Sequence, residues 1–201
     1  MNTKSYLKQY ENFISVLTKE IDKMFLAQEE YICCKNGCSL CCEDGMYPFS
    51  KIEFEYIIQG YKLLPDNLKQ DIQKRIDSIL SKYQTKKMYE CPFLINKSCT
   101  VYNYRGLICR TFGLISENDN KKLTIPYCAN EGLNYSEVYN KETHRISEEK
   151  VVEKKYKALP KAYNLSRENI MYSIAFDLGF EWGETKPLIE WLKEYRQNLE
   201  K

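Results

Sequence analysis

Residues 33–42 read CCKNGCSLCC and place Cys33, Cys34, Cys38, Cys41 and Cys42 within ten positions, out of nine cysteines in the chain. The fold turns on whether these thiols are disulfide staples, ligands or core. In Cys34-x3-Cys38-x2-Cys41 the short spacers let the backbone turn back, so that several sulfurs meet one ion or cluster. Thiolates suit Zn²⁺, Cu(I) and iron–sulfur centres and are poor ligands for Mg²⁺ or Ca²⁺. The other cysteines, Cys91, Cys99, Cys109 and Cys128, follow about fifty residues on. His144 is the only histidine. A buried soft-metal site must therefore be close to all-cysteine, which excludes His-rich catalytic zinc and facial-triad iron.

Composition argues against staples. Nine cysteines in 201 residues fall well short of the roughly 8–10% of small disulfide scaffolds. Their odd number excludes complete pairing within one chain. A hydrophobic content of 43% supports one ordinary domain with a real core. The start, MNTKSYLKQYENFISVLTKEIDKMF, carries charges throughout and reads as no signal peptide. No apolar run approaches the ~18 residues of a membrane span. These readings give a cytoplasmic expectation, where clustered cysteines are ligands or redox groups more often than disulfides. A net charge of +2 points to neither a nucleic-acid nor a membrane partner.

Outward from the cysteine stretch, hydrophobic spacing organises the chain. Leu7, Tyr10, Ile14, Leu17, Ile21 and Met24 form one seam and predict a helix over 5–31. FSKIEF opens a second helix, with Ser50 and Glu53 at capping-box spacing and Phe49 and Phe54 as a staple. Pro65-Asp66 ends it, and a third helix is predicted over about 66–84. CPFLINKSCTVY reads as two short extended pieces around a turn at Asn96-Lys97-Ser98. YRGLICRTFG reads as a short helix or turn. LISENDNKKLTIPYC reads as a hairpin with a polar tip at Asn118–Lys122. Residues 134–158 are charged and read as helical, with EEKVVEKKYK (148–157) as a solvated face. Ser166 is predicted to cap a helix ending at Gly179. Thr185 is predicted to cap the last helix, with Leu188, Trp191, Leu192 and Tyr195 on one face. Trp182, Trp191 and Tyr195 are expected in the core.

The expected fold class is therefore mainly α with small β-hairpin elements: a cysteine-rich metal-binding domain packed with N- and C-terminal helices. The expected division is 1–133, helices plus cysteine cluster, and 134–201, a helical extension packed on it.

Neighbouring side chains diverge, so Cys41 and Cys42 are expected to serve two nearby centres, or one a centre and one a hydrogen bond or the core. Cys33 is read as a buried small hydrophobe. The candidate metal ligands are then Cys34, Cys38, Cys41, Cys42, Cys91, Cys99, Cys109 and Cys128. Eight is the count for two four-cysteine sites; one four-cysteine cluster plus a separate dithiol pair fits as well.

The order Cys34–Cys42, CPFL (91–94), CTVYNYRGLICRTF (99–112) and Cys128 resembles the CxxCxxCC (YkgJ-type) cysteine-cluster family. That family is described as a zinc- or iron-chelating domain with eight shared cysteines, and the flagellin lysine N-methylases look like longer relatives. The resemblance implies bound zinc or an iron–sulfur cluster, with 4Fe-4S favoured. It also allows S-adenosylmethionine and methyl transfer to a protein or peptide lysine. It further implies that Arg105 and Arg110 stand beside the thiolates, offsetting their charge and donating to sulfur. Tyr102 is expected to pack on the site. Two departures stand out: the first spacer is x3 rather than x2, and Gly106 replaces a usual proline.

Other readings of the same residues are a closed structural zinc module that serves interaction and a metal-delivery or thiol-redox protein. C-x3-C-x2-C is also the spacing of the radical S-adenosylmethionine loop. The alternating strand–helix pattern that surrounds that loop is absent here.

Overall fold

The first three amphipathic stretches read from the sequence become helices. The computed structural model describes residues 3–35, 37–43, 45–83, 88–165 and 180–199. Helix α1 spans Thr3–Leu26 and gives way to a 3₁₀ turn at Glu29–Tyr31. It buries Tyr10, Ile14, Leu17 and Ile21 of the expected seam, and Phe13 besides, while Leu7 and Met24 at the ends of the seam are half-buried. A single short turn, α2 (Leu40–Glu43), carries the adjacent cysteines. Helices α3 (Lys51–Lys62) and α4 (Asp66–Lys82) follow, split at Pro65. Among the described residues the strands are two or three residues long and pair antiparallel, so the fold is mainly α with small β-hairpins. Among these residues no helix is long and apolar enough to cross a membrane.

Contacts divide the chain into two units. The first comprises Met1–Leu7, Asn36–Arg110 and Glu181–Lys201; the second comprises Lys8–Lys35 and Thr111–Phe180.

In the first unit, α3, α4 and the C-terminal helix (Leu188–Leu199) enclose a core of Phe49, Phe54, Ile57, Ile72, Ile76, Phe93, Ile189 and Trp191. Trp191 stacks on Phe54 at 5.4 Å and donates its indole N–H to the Phe49 carbonyl at 2.8 Å. That bond satisfies the polar edge of an otherwise apolar ring. Strand β1 (Pro48–Ser50) pairs with Thr185–Pro187, which the sequence reading missed. Thr185 thus lies in a strand opposite Ser50 instead of capping the last helix, which begins at Leu188. Three-residue strands between prolines carry no alternation, so only the long-range pairing reveals them.

The CPFL segment enters hairpin β2 (Leu94–Ile95) and β3 (Ser98–Cys99). Asn96 and Lys97 both take positive φ, 51° and 58°, as a two-residue I′ turn requires. After a 3₁₀ turn at Tyr102–Tyr104, helix α5 (Leu107–Thr111) carries Cys109 and Arg110.

In the second unit, hairpin β4 (Ser116–Glu117) and β5 (Leu123–Thr124) closes over the predicted tip. There the Asn118 side chain accepts from the Asn120 and Lys122 amides. Residues 134–147 are not helical as expected. They contain a third hairpin, β6 (Tyr139–Asn140) and β7 (Arg145–Ile146). Asn140 Oδ1 accepts from the Glu142 and Thr143 amides, an Asx turn that competes with helix, and only Glu148–Glu153 forms α6. A small core of Tyr31, Ile115, Tyr135, Val138 and Val151 lies beneath. The helix predicted from Ser166 to Gly179 lies outside the described residues.

Candidate metal centre

The first unit brings Cys41, Cys42, Cys91, Cys99 and Cys109 into one neighbourhood, close enough for their charges to act on one another. Four local devices do this. The adjacent pair rides on α2, which Ser39 braces through a 2.5 Å hydrogen bond to Glu43. The Cys91 amide donates to the Cys42 carbonyl at 2.7 Å, tying CPFL to that turn. The β2–β3 hairpin sets Cys99 opposite Leu94. Helix α5 delivers Cys109.

The position of α5 is set by a buried carboxylate. Glu53 is fully buried and accepts from the Ser50 amide at 2.8 Å and from the Ser50 hydroxyl at 2.7 Å. Its other oxygen accepts from the Leu107 amide, the first of α5, at 2.8 Å. The capping box legible in the sequence thus also holds the helix that bears Cys109. Two glycines let the segments close. A Cβ on Gly106 would lie 2.6 Å from the Phe49 ring and 3.1 Å from Glu53 Oε1, and one on Gly60 would lie 2.4 Å from the Tyr104 ring. This is the physical reason for glycine at position 106, the second departure from the resembled pattern: Phe49 occupies the space a larger residue would need.

The thiols gather charge-stabilising neighbours. The amides of Phe93 and Leu94 reach the Cys91 sulfur, and that of Val101 reaches Cys99. Arg105 is the cation acting on Cys41, Cys99 and Cys109. Its guanidinium is held by the Tyr102 carbonyl at 2.8 Å and stacks 3.4 Å above the Tyr102 ring. Tyr102 itself is exposed and packs against Arg105. Arg110 donates to the carbonyls of Arg105 (2.9 Å) and Asn103 (2.7 Å), latching the turn between the two segments.

Burial makes Cys91, Cys99 and Cys109 resist ionisation. Burial pushes Cys91 up to about 12 and Cys109 well up, the latter further raised by Cys91, Cys99 and Cys41. Between the adjacent cysteines, a sulfur–sulfur hydrogen bond lowers Cys41 and holds the proton on Cys42, raising it. A bound dication reverses this balance, because a coordinating thiol is deprotonated outright.

Cys41 and Cys42 have their sulfurs 3.9 Å apart. Four sulfurs about 2.3 Å from one tetrahedral ion are separated by roughly 3.8 Å. Adjacency therefore does not force the two thiols onto different centres. Cys38, in the same unit, is exposed. Among the described residues, no three or more histidine, cysteine, aspartate or glutamate side chains already stand in a geometry that holds an ion. The donor set fits a thiophilic metal by its chemistry, and ligation requires the gathered sulfurs to turn inward.

The remaining thiols lie in the second unit. Cys128 is buried in the 3₁₀ turn Tyr127–Glu131, while Cys33 and Cys34 are exposed. The exposure of Cys33 corrects the expectation of a buried hydrophobe: its amide, not its side chain, is what the fold uses. That amide donates to Asn134 Oδ1 at 2.7 Å. Burial raises the Tyr135 hydroxyl, and Cys34 and Cys128 both add to the shift, so these two thiols share its surroundings. Asn134 and Gly113 are residues the sequence reading did not find. Neither has a local signal, because each is defined by a partner far along the chain.

Residues 33–129 match the model of the CxxCxxCC family, described as a "putative zinc- or iron-chelating domain". The matched segment runs from the first cysteine to just past the last and contains all nine. No curated protein and no solved structure matches the chain.

Proposed function

We propose that this CxxCxxCC segment is a thiolate metal centre whose main ligands come from Cys38, Cys41, Cys42, Cys91, Cys99 and Cys109. Cys34 and Cys128 form a second thiolate locus in the other unit. The observation that carries the reading is the gathering of five thiols, three backbone amides aimed at sulfur, and Arg105 in one half-buried place. Crowding thiols raises the cost of ionising each one, and a bound cation removes that cost. An iron–sulfur cluster is the favoured occupant. Amide and guanidinium donors around cysteine sulfur are what set the potential of such clusters, and they give the site a redox capacity. Zinc is the second reading, favoured by the 3.9 Å Cys41–Cys42 sulfur separation, which matches one edge of a single-ion tetrahedron.

In either case the chain's own groups have defined work. Glu53 and Arg110 hold α5 and its preceding turn, the amides of Phe93, Leu94 and Val101 stabilise sulfur charge, and Arg105 offsets the net negative charge of a four-thiolate site. Anaerobic purification with iron, sulfide and zinc counts and a visible spectrum tests the proposal. Broad absorption near 400 nm that bleaches with dithionite supports the cluster. Colourless protein with stoichiometric zinc supports the closed zinc site. Protein that retains neither metal after reconstitution with each refutes the centre.

A further inference from the structure

Asn134 lies beyond the matched family segment, yet it is buried to 1% exposure and joins three separate pieces of the second unit. Its Oδ1 accepts from the Cys33 amide at 2.7 Å. Its Nδ2 donates to the Gly113 carbonyl at 3.0 Å and lies 3.3 Å from Cys34 Sγ. The two backbone partners fix the orientation of the amide. An N–H can only donate and a carbonyl can only accept, so the oxygen must face Cys33 and the nitrogen must face Gly113. The second proton of Nδ2 is then left for the sulfur of Cys34. Gly113 confirms how close this approach is. It has φ of +108°, and a Cβ there would lie 3.0 Å from Asn134 Nδ2 and 3.1 Å from Cys34 Sγ. No other residue type fits both the backbone conformation and the space.

We infer that Asn134 is a positioning residue for Cys34, whose amide N–H holds the sulfur as a hydrogen-bonded thiolate ligand. The inference rests on the reading of Cys34 as a metal ligand and deepens it. An amide donor favours the anionic form of its acceptor, because a hydrogen bond to a charged partner is roughly twice as strong as one to a neutral partner. It also fixes the direction of the sulfur lone pairs, as groups outside the ligand shell do for metal-bound histidine. Cys34 sits on an exposed stretch.

The test uses the full chain loaded with ¹¹³Cd, a spin-active stand-in for the native metal. A scalar coupling from ¹¹³Cd to the Cys34 β protons reports ligation. A further coupling from ¹¹³Cd to an Asn134 side-chain amide proton reports the N–H···S bond. Both couplings are expected. Coupling at Cys34 without coupling at Asn134 overturns the positioning role and leaves the ligand reading intact. No coupling at Cys34 overturns both. In a second measurement, Asn134→Asp keeps the volume and the acceptor for Cys33 but sets an anionic oxygen against the sulfur. Its metal should pass to a chelator about tenfold faster or more, with Cys34 alkylated correspondingly sooner. Unchanged release from the folded variant refutes the role.

Discussion

Replacing Glu53 with glutamine tests how the fold holds α5, the helix that bears Cys109. Both carboxylate oxygens accept from backbone amides, Oε2 from Ser50 at 2.8 Å and Oε1 from Leu107 at 2.8 Å. Glutamine has the same shape but one oxygen. In either orientation its NH₂ group faces a backbone N–H, donor against donor, in a fully buried place. A buried donor left unsatisfied costs about 1–3 kcal/mol. Taking ~2 kcal/mol, the folded-to-unfolded ratio falls roughly 30-fold, at about 1.4 kcal/mol per tenfold. For a chain of this size the melting temperature should fall by about 4–8 °C. The assay is thermal and urea unfolding of Glu53→Gln and of a Ser50→Ala control, which removes only the hydroxyl donor and should cost less. Amide exchange locates the damage: protection at Leu107 should fall more than at Ile72 in α4. A Glu53→Gln protein that melts with the wild type and keeps its Leu107 protection would show that the carboxylate does not anchor α5.

Gly106→Ala should destabilise by about 1–3 kcal/mol through overpacking, since the added methyl meets the Phe49 ring at 2.6 Å. A melting temperature equal to the wild type would refute that. The nine cysteines should also separate by role. Cys33→Ser should keep the full metal content, because its side chain is exposed and only its amide is engaged. Cys109→Ser should lose the first unit's metal and melt lower, as binding and folding are linked. Equal metal counts in the two variants would contradict the assignment.

Several features were legible from short-range chemistry. The α1 seam, the Ser50–Glu53 box, the Asn96-Lys97 turn and the Asn118 tip depend on residues within a few positions of each other, so spacing suffices to read them. Asn140 shows the limit within that range. A charged stretch reads as helix until its side chain closes an Asx turn and makes a hairpin.

The candidate site divides along the same line. By itself the sequence determined that any soft-metal site in this chain must be built of thiols, because one histidine leaves no other soft donor set. Only the tertiary structure decided how the thiols are distributed, with Cys41, Cys42, Cys91, Cys99 and Cys109 in one unit and Cys34 and Cys128 in the other. It alone revealed Glu53 reaching Leu107, Thr185 paired with Ser50, and Asn134 holding Cys34. Each of these is a contact across fifty residues or more. Hydrogen bonds at that range are set by where packing brings the backbone, and sequence periodicity does not record it.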